Sequence, residues 1–65
     1  MTLNNRPYDN WHEDLTIQGV ITYMRFSWNK LVVKVNGVYV DPGDYDKVIL
    51  KEDDDLQILH LLAGG

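Results

Sequence analysis

From Leu31 onward the apolar residues gather into short runs split by turn-forming pairs, whereas before it they recur at helical spacing. Leu31-Val32-Val33-Lys34-Val35 is rich in β-branched residues, which suit a pleated, half-buried surface, and predicts a strand. Asn36-Gly37 is the preferred pair for a two-residue type I′ hairpin, because both central residues need positive φ. Val38-Tyr39-Val40 then reads as the short return strand, broken by Asp41-Pro42-Gly43-Asp44. Val48-Ile49-Leu50 is a short apolar piece, Lys51 to Asp55 a charged turn, and Leu56 to Leu62 a last strand. With a period of two, Leu56, Ile58, His60 and Leu62 share one side of that strand. Gln57, Leu59, Leu61 and Ala63 share the other.

Ile17, Val20, Ile21, Met24 and Trp28 follow i, i+3, i+4, i+7 and i+11, a stripe along one face of a helix. Thr16 suits the N-cap, its hydroxyl accepting from a first-turn N–H. Gly19, at a cost of about 1 kcal/mol in a helix interior, and four β-branched residues argue the other way. The periodicity prevails, and the expected helix runs from about Thr16 to Phe26. Ahead of it, Met1 to Asn4 opens a strand, Asn4-Asn5 makes a tight turn, and Tyr8 to Trp11 returns as a second strand. Pro7 cannot donate to a ladder, which places this hairpin at a turn or an edge, with Trp11 in the core or at its rim. Tyr45, alone among polar residues, is expected to plug the end of the core. The order β-β-α-β-β-β describes an α+β domain: one sheet, one covering helix, and first and last strands free to pair in the middle.

One consequence concerns the uncovered side of the sheet. If Leu56 and Ile58 face the helix, Leu59 and Leu61 emerge where no second layer exists. They form a docking patch there, unless Tyr39 or Tyr8 covers them.

Sixty-five residues make one small domain, read as residues 1–63 followed by a flexible Gly64-Gly65 tail. A chain of this size buries only about 60% of its unfolded surface, too little for a deep, walled cleft. Ten acidic against six scattered basic residues give a net charge of −4, which disfavours phosphate backbones and hence nucleic acid. There is no cysteine, hence no disulfide or thiolate chemistry on a side chain. No apolar stretch approaches the roughly 20 residues that span a bilayer. The first residues lack a signal peptide's pattern. No membrane association and a cytoplasmic location are expected.

Candidate chemistry inside the domain is sparse. His12-Glu13 begins like a zinc-protease helix, but Thr16 stands where the second histidine belongs. Glu52-Asp53-Asp54-Asp55 lacks the alternating ligands and glycine of a calcium loop and reads as a solvated turn. His60 has no nucleophile beside it in sequence and reads as a surface or interface residue. Ser27 has nothing nearby to activate it, and the glycines at 19, 37 and 43 are too isolated to cradle a phosphate. No catalytic residue and no metal site are expected. What stands out is the end: glycine is about 7% of average sequence, yet two close this one. A last residue without a side chain leaves its carboxylate approachable from every side, and Gly64 lets the tail thread a narrow slot.

From Val35 to Gly65 these residues resemble, without gaps, the thiamine-biosynthesis sulfur carriers, small ubiquitin-like β-grasp proteins. The shared features are the Val35-Asn36-Gly37 hairpin and a lone aromatic eight residues after the glycine, here Tyr45 where the family usually has Trp. Leu50 follows, then an acidic turn at Glu52-Asp53-Asp54, and an alternating strand that closes in Ala63-Gly64-Gly65. Leu3-Asn4-Asn5 and Leu15-Thr16-Ile17 extend the resemblance weakly into the first half. Asp53 and Asn5 replace family glycines, and Pro42 falls one position late. A positive φ is therefore expected at Asp53, with some strain.

The resemblance implies a ubiquitin-like β-grasp with a mixed four- to five-stranded sheet. It also implies a carrier acted on by partner enzymes rather than an enzyme. An activating enzyme similar to the ubiquitin-activating class would use ATP and magnesium to adenylate the Gly65 carboxylate. Sulfur from a cysteine desulfurase route would then leave a thiocarboxylate for thiazole synthase. In that scheme Gly65 carries the sulfur, Gly64 gives access, and Leu59, Leu61 and Leu62 guide docking. The alternatives are a molybdopterin-type sulfur carrier, a ubiquitin-like modifier, a carrier for another cysteine or metallophore pathway, and, from another class, a non-carrier β-grasp interaction module.

Overall fold

Two asparagine-led turns set the two hairpins of the computed structural model, which describes residues 1–26 and 31–60. Asn4 and Asn5 take φ of 52° and 69° and join β1 (Thr2–Leu3) to β2 (Arg6–Pro7). Asn36 and Gly37, at 51° and 83°, join β3 (Leu31–Val35) to β4 (Val38–Val40). Left-handed φ at both central residues is what a type I′ turn needs, and its twist matches that of the flanking strands.

The last described strand, β5 (Asp55–His60), enters between the two hairpins. The sheet order is β2-β1-β5-β3-β4, with β1 parallel to β5 and the other neighbours antiparallel. First and last strands thus meet in the middle of the sheet, as the sequence pattern predicts. With the helix α1 (Ile17–Met24) on one face, this is the ubiquitin-like β-grasp.

The core lies between α1 and that face. Ile17, Val20 and Ile21 from the helix join Leu3, Leu31, Val33, Leu56 and Ile58 from the strands in one cluster, closed by Leu15, Leu50, Tyr8 and Tyr45. Each such side chain contributes roughly 1.5–3 kcal/mol by leaving water. Thr16 caps the helix, its Oγ1 accepting from the Gly19 N–H at 3.0 Å. A Cβ on Gly19 would stand 3.1 Å from Leu15 Cδ1, so the helix interior tolerates glycine here because Leu15 occupies the space.

Several expectations are corrected. The helix ends at Met24 rather than Phe26, because Arg25 turns left-handed (φ 56°) and its N–H bonds back to the Ile21 and Thr22 carbonyls. Phe26 then folds against the core while Met24, expected on the packed stripe, is 40% exposed. Trp28, at the end of that stripe, lies outside the described residues. The second strand is Arg6–Pro7, not Tyr8–Trp11. Pro7 sits on the edge strand, where no donor is required; Tyr8 is buried, and Trp11 anchors a loop by donating Nε1–H to the Leu50 carbonyl at 3.1 Å.

The acidic turn is not solvated throughout. Asp54 is buried; its carboxylate accepts from the Lys51 N–H at 2.8 Å and from Asn36 Nδ2 at 3.0 Å. Asp53, by contrast, stays out of the left-handed region, which among the described residues holds Asn4, Asn5, Asp14, Arg25, Asn36 and Gly37. Its turn does not need the glycine found in the resembling family, and the anticipated strain is absent.

Candidate functional site

Strand β5 carries the chain toward its glycine tail, and its two sides differ as the alternation predicts. Leu56 and Ile58 are buried beneath the helix, whereas Leu59 is 48% exposed on the opposite face. Register fixes its neighbours there. Val32 lies directly across from Leu59, Lys34 lies across from Gln57, and Tyr39 across from Lys34. Residues paired in register share a face, so Val32, Leu59, Lys34, Gln57 and Tyr39 all look away from the helix. Thr2 and Asp55 continue this face on the β1 side, where the Thr2 hydroxyl donates to Asp55 Oδ1 at 2.7 Å. The face is mixed: Val32, Leu59 and Tyr39 give it apolar area, Lys34 and Gln57 lie among them, and Thr2 and Asp55 continue it toward β1.

Of the two aromatics weighed as covers, Tyr8 is buried in the core, and Tyr39 is itself 53% exposed. Leu61, Leu62, Gly64 and Gly65 lie outside the described residues, and so does Ser27. Leu59 is therefore the one predicted site residue whose position the structure describes.

His60 closes β5 as an exposed residue, its imidazole edge-on to the Phe26 ring with centroids 5.3 Å apart. His12 is exposed and its Nδ1 meets only the adjacent Glu13 carbonyl, at 2.8 Å. Among the described residues no three His, Asp or Glu side chains converge on a metal-sized space. Two phenols are perturbed, both upward. Burial raises Tyr8, helped by nearby Tyr23; burial also raises Tyr45, helped by Tyr39 and Asp41. The Tyr45 hydroxyl has no hydrogen-bond partner among the described residues. Neither phenol lies beside an activated nucleophile.

One residue next to β5 goes beyond its local reading. The Asn4 side chain reaches Ile58: Oδ1 accepts from the Ile58 N–H at 2.8 Å, and Nδ2 donates to the Ile58 carbonyl at 3.1 Å. Its sequence marks it only as a turn former, since a bond to a residue 54 positions away leaves no local pattern.

The ThiS family model matches residues 2–65, which takes in the described fold and the glycine tail together. The chain belongs to the ThiS family. A thiazole synthase from Magnetococcus marinus is 33% identical over 63 residues, covering 97% of this chain but 19% of that protein. The chain thus spans about a fifth of that relative's length. In three dimensions it is similar to the thiamine biosynthesis protein ThiS from Geobacter metallireducens, with a TM-score of 0.80 over 98% of this chain and 96% of that one. At 20% identity the likeness concerns the fold, the same β-grasp. Within the family pattern, the aromatic position is filled by buried Tyr45 and the hairpin by Asn36-Gly37.

Proposed function

We propose that this chain is a sulfur carrier whose Gly65 carboxylate is adenylated and then converted to a thiocarboxylate, which gives up its sulfur in forming the thiazole of thiamine. The observation that carries this reading is the ThiS family match across residues 2–65, tail included. A carboxylate resists nucleophilic attack and has no good leaving group, so a partner must activate it. Magnesium and ATP, bound by an adenylating enzyme of the ubiquitin-activating type, would supply AMP as the leaving group and release pyrophosphate. Sulfur delivered as a persulfide by a cysteine desulfurase route displaces AMP to give an acyl disulfide, and a second partner thiol attacks its outer sulfur, forming a disulfide with that sulfur and releasing the thiocarboxylate.

Thiazole synthase is the proposed acceptor. The similar protein of that name from Magnetococcus marinus supports this, since a stretch like nearly all of this chain forms part of it. The carrier's own share is presentation. Gly64 and Gly65 give a slender reactive end, and the open face around Leu59, with Leu61 and Leu62 after it, guides docking. No catalytic side chain is assigned to the domain.

Intact-mass measurement tests the reading. Incubation of the 65-residue chain with an activating enzyme of this family, ATP, magnesium and a sulfide source should replace one oxygen by sulfur. Removal of Gly65 should abolish the change while the folded spectrum stays intact. An unchanged mass with an enzyme proven on another carrier sinks the proposal. Rescue of a deletion strain by supplied thiazole separates the thiamine role from a molybdopterin one.

A further inference from the structure

Asn36 is the asparagine of this sequence that precedes a glycine, the pairing most open to attack by the chain on itself. A following residue without a side chain lets its backbone nitrogen reach the amide carbon. Both turn residues are exposed, so water is at hand. The amide, however, is already engaged. Its Oδ1 accepts from the Asp55 N–H at 3.0 Å, its Nδ2 donates to Asp54 Oδ1 at 3.0 Å, and the Asn36 N–H donates to the Asp55 carbonyl at 2.8 Å. Asp54 is buried, and its other oxygen accepts from the Lys51 N–H at 2.8 Å. The turn itself asks only for a positive φ at Asn36, which glycine would also supply. The bonds of the amide come in addition to that demand.

We propose that Asn36 is a site of spontaneous deamidation, guarded in the folded chain by Asp54 and Asp55, whose product the fold rejects. In the reaction the Gly37 nitrogen gives its proton to solvent base and bonds to Asn36 Cγ. The bond from Cγ to the amide nitrogen breaks, ammonia leaves, and a succinimide ring closes. Water then opens either ring C–N bond, giving aspartate or isoaspartate, with nothing oxidised or reduced. To bring Cγ onto the Gly37 nitrogen the side chain must rotate, and rotation breaks its bonds to Asp54 and Asp55 together. The folded state therefore slows the step, and local opening or unfolding releases it. The product cannot remake the clasp. With aspartate at 36, an oxygen replaces the donor that faced Asp54, and two carboxylates meet at a buried site where both cannot ionise without cost. Isoaspartate lengthens the backbone inside a two-residue turn that has no slack. A chain that deamidates while open refolds less well, so the loss runs one way.

Mass spectrometry of the tryptic peptide from Val35 to Lys47 reads the conversion directly, with isoaspartate resolved from aspartate by its fragments. The folded chain should deamidate about tenfold more slowly than the guanidinium-unfolded chain at the same pH and temperature. Asp54→Ala should recover most of that difference. Val20→Ala controls for stability, since Val20 is buried on α1, an element outside the clasp, and it should stay near the unaltered rate. Melting then tests the rejection of the product. Asn36→Asp should lower the melting temperature by about 10 °C at neutral pH. Asn36→Asp with Asp54→Asn, which reverses donor and acceptor, should regain at least half of that. A folded chain that deamidates as fast as the unfolded one overturns the guard, and this comparison decides even if Asp54→Ala does not fold. So does a rate for Asp54→Ala no higher than that of Val20→Ala. A double variant no more stable than Asn36→Asp overturns the rejection of the product.

Discussion

Asn36 and Asp54, eighteen residues apart, meet at the end of the sheet, the amide donating to the carboxylate at 3.0 Å. The bond is one strand of a clasp. Asn36 also accepts from the Asp55 N–H at 3.0 Å, and Asp54 accepts from the Lys51 N–H at 2.8 Å. The hairpin that opens β4 and the turn that opens β5 are thereby tied to each other. Asp54→Ala should cost about 2–3 kcal/mol in urea unfolding, because it strands two donors beside a buried space. Asn36→Gly should retain the turn but lose a similar connection to Asp55.

Asp53 supplies the contrast. It is exposed and its φ is not left-handed, so installing the family's glycine brings no relief. Asp53→Gly should lower stability by about 0.4–1 kcal/mol through the greater freedom of the unfolded chain. A rise in the unfolding midpoint would show that the turn is strained after all.

Leu59 and Leu56 test the two faces of β5. Leu56 is fully buried, and Leu56→Ala should cost about 2–5 kcal/mol. Leu59→Ala, on the open face, should change stability by only about 0.5 kcal/mol while weakening the proposed complex with an activating enzyme. Titration calorimetry alongside thermal melts measures both effects. Equal losses for Leu59→Ala in the two assays would place that side chain in the core instead.

Tyr45 buries a hydroxyl without a partner among the described residues. Tyr45→Phe removes a desolvated polar atom at little cost in packing, and it should leave stability unchanged or raise it by about 1 kcal/mol. Denaturant midpoints decide this.

The same phenol and Tyr8 set an alkaline limit. Burial raises both above the ordinary value of 10.0, with Tyr39 and Asp41 adding to Tyr45 and Tyr23 to Tyr8. The folded state therefore holds these protons more tightly than the unfolded chain. The stability they support is complete below pH about 10 and is lost as pH rises through the raised folded values. Melting temperatures taken from pH 8 to 12 should fall along that upper range, and less steeply in Tyr45→Phe.

Features with a local cause were legible in the sequence. Asn36-Gly37 announced its turn because few pairs tolerate two positive φ values, and the alternation of β5 announced which leucines lie inside. Thr16 and the Ile17-Val20-Ile21 stripe placed the helix despite Gly19. What escaped depends on contacts far along the chain. Nothing near Asp54 says that one carboxylate in an acidic run turns inward to meet Asn36. Nothing near Tyr8 says that it leaves the hairpin for the core. Met24 fits the helical stripe, but the left-handed Arg25 brings Phe26 into that place instead. Asn4 was legible as a turn former, and its amide's partner was not.

The parallel pairing of β1 with β5 also governs when the domain can exist. Thr2 finds Asp55 across 53 residues, and β5 is the strand on which both hairpins lean. Contacts so distant in sequence close late, after the loop between them has been ordered. During synthesis the amino-terminal hairpin must wait, unpaired on its inner edge, until Ile58 has emerged to meet Asn4. A chain shortened before Ile58 lacks the central strand on which both hairpins lean and cannot complete the sheet.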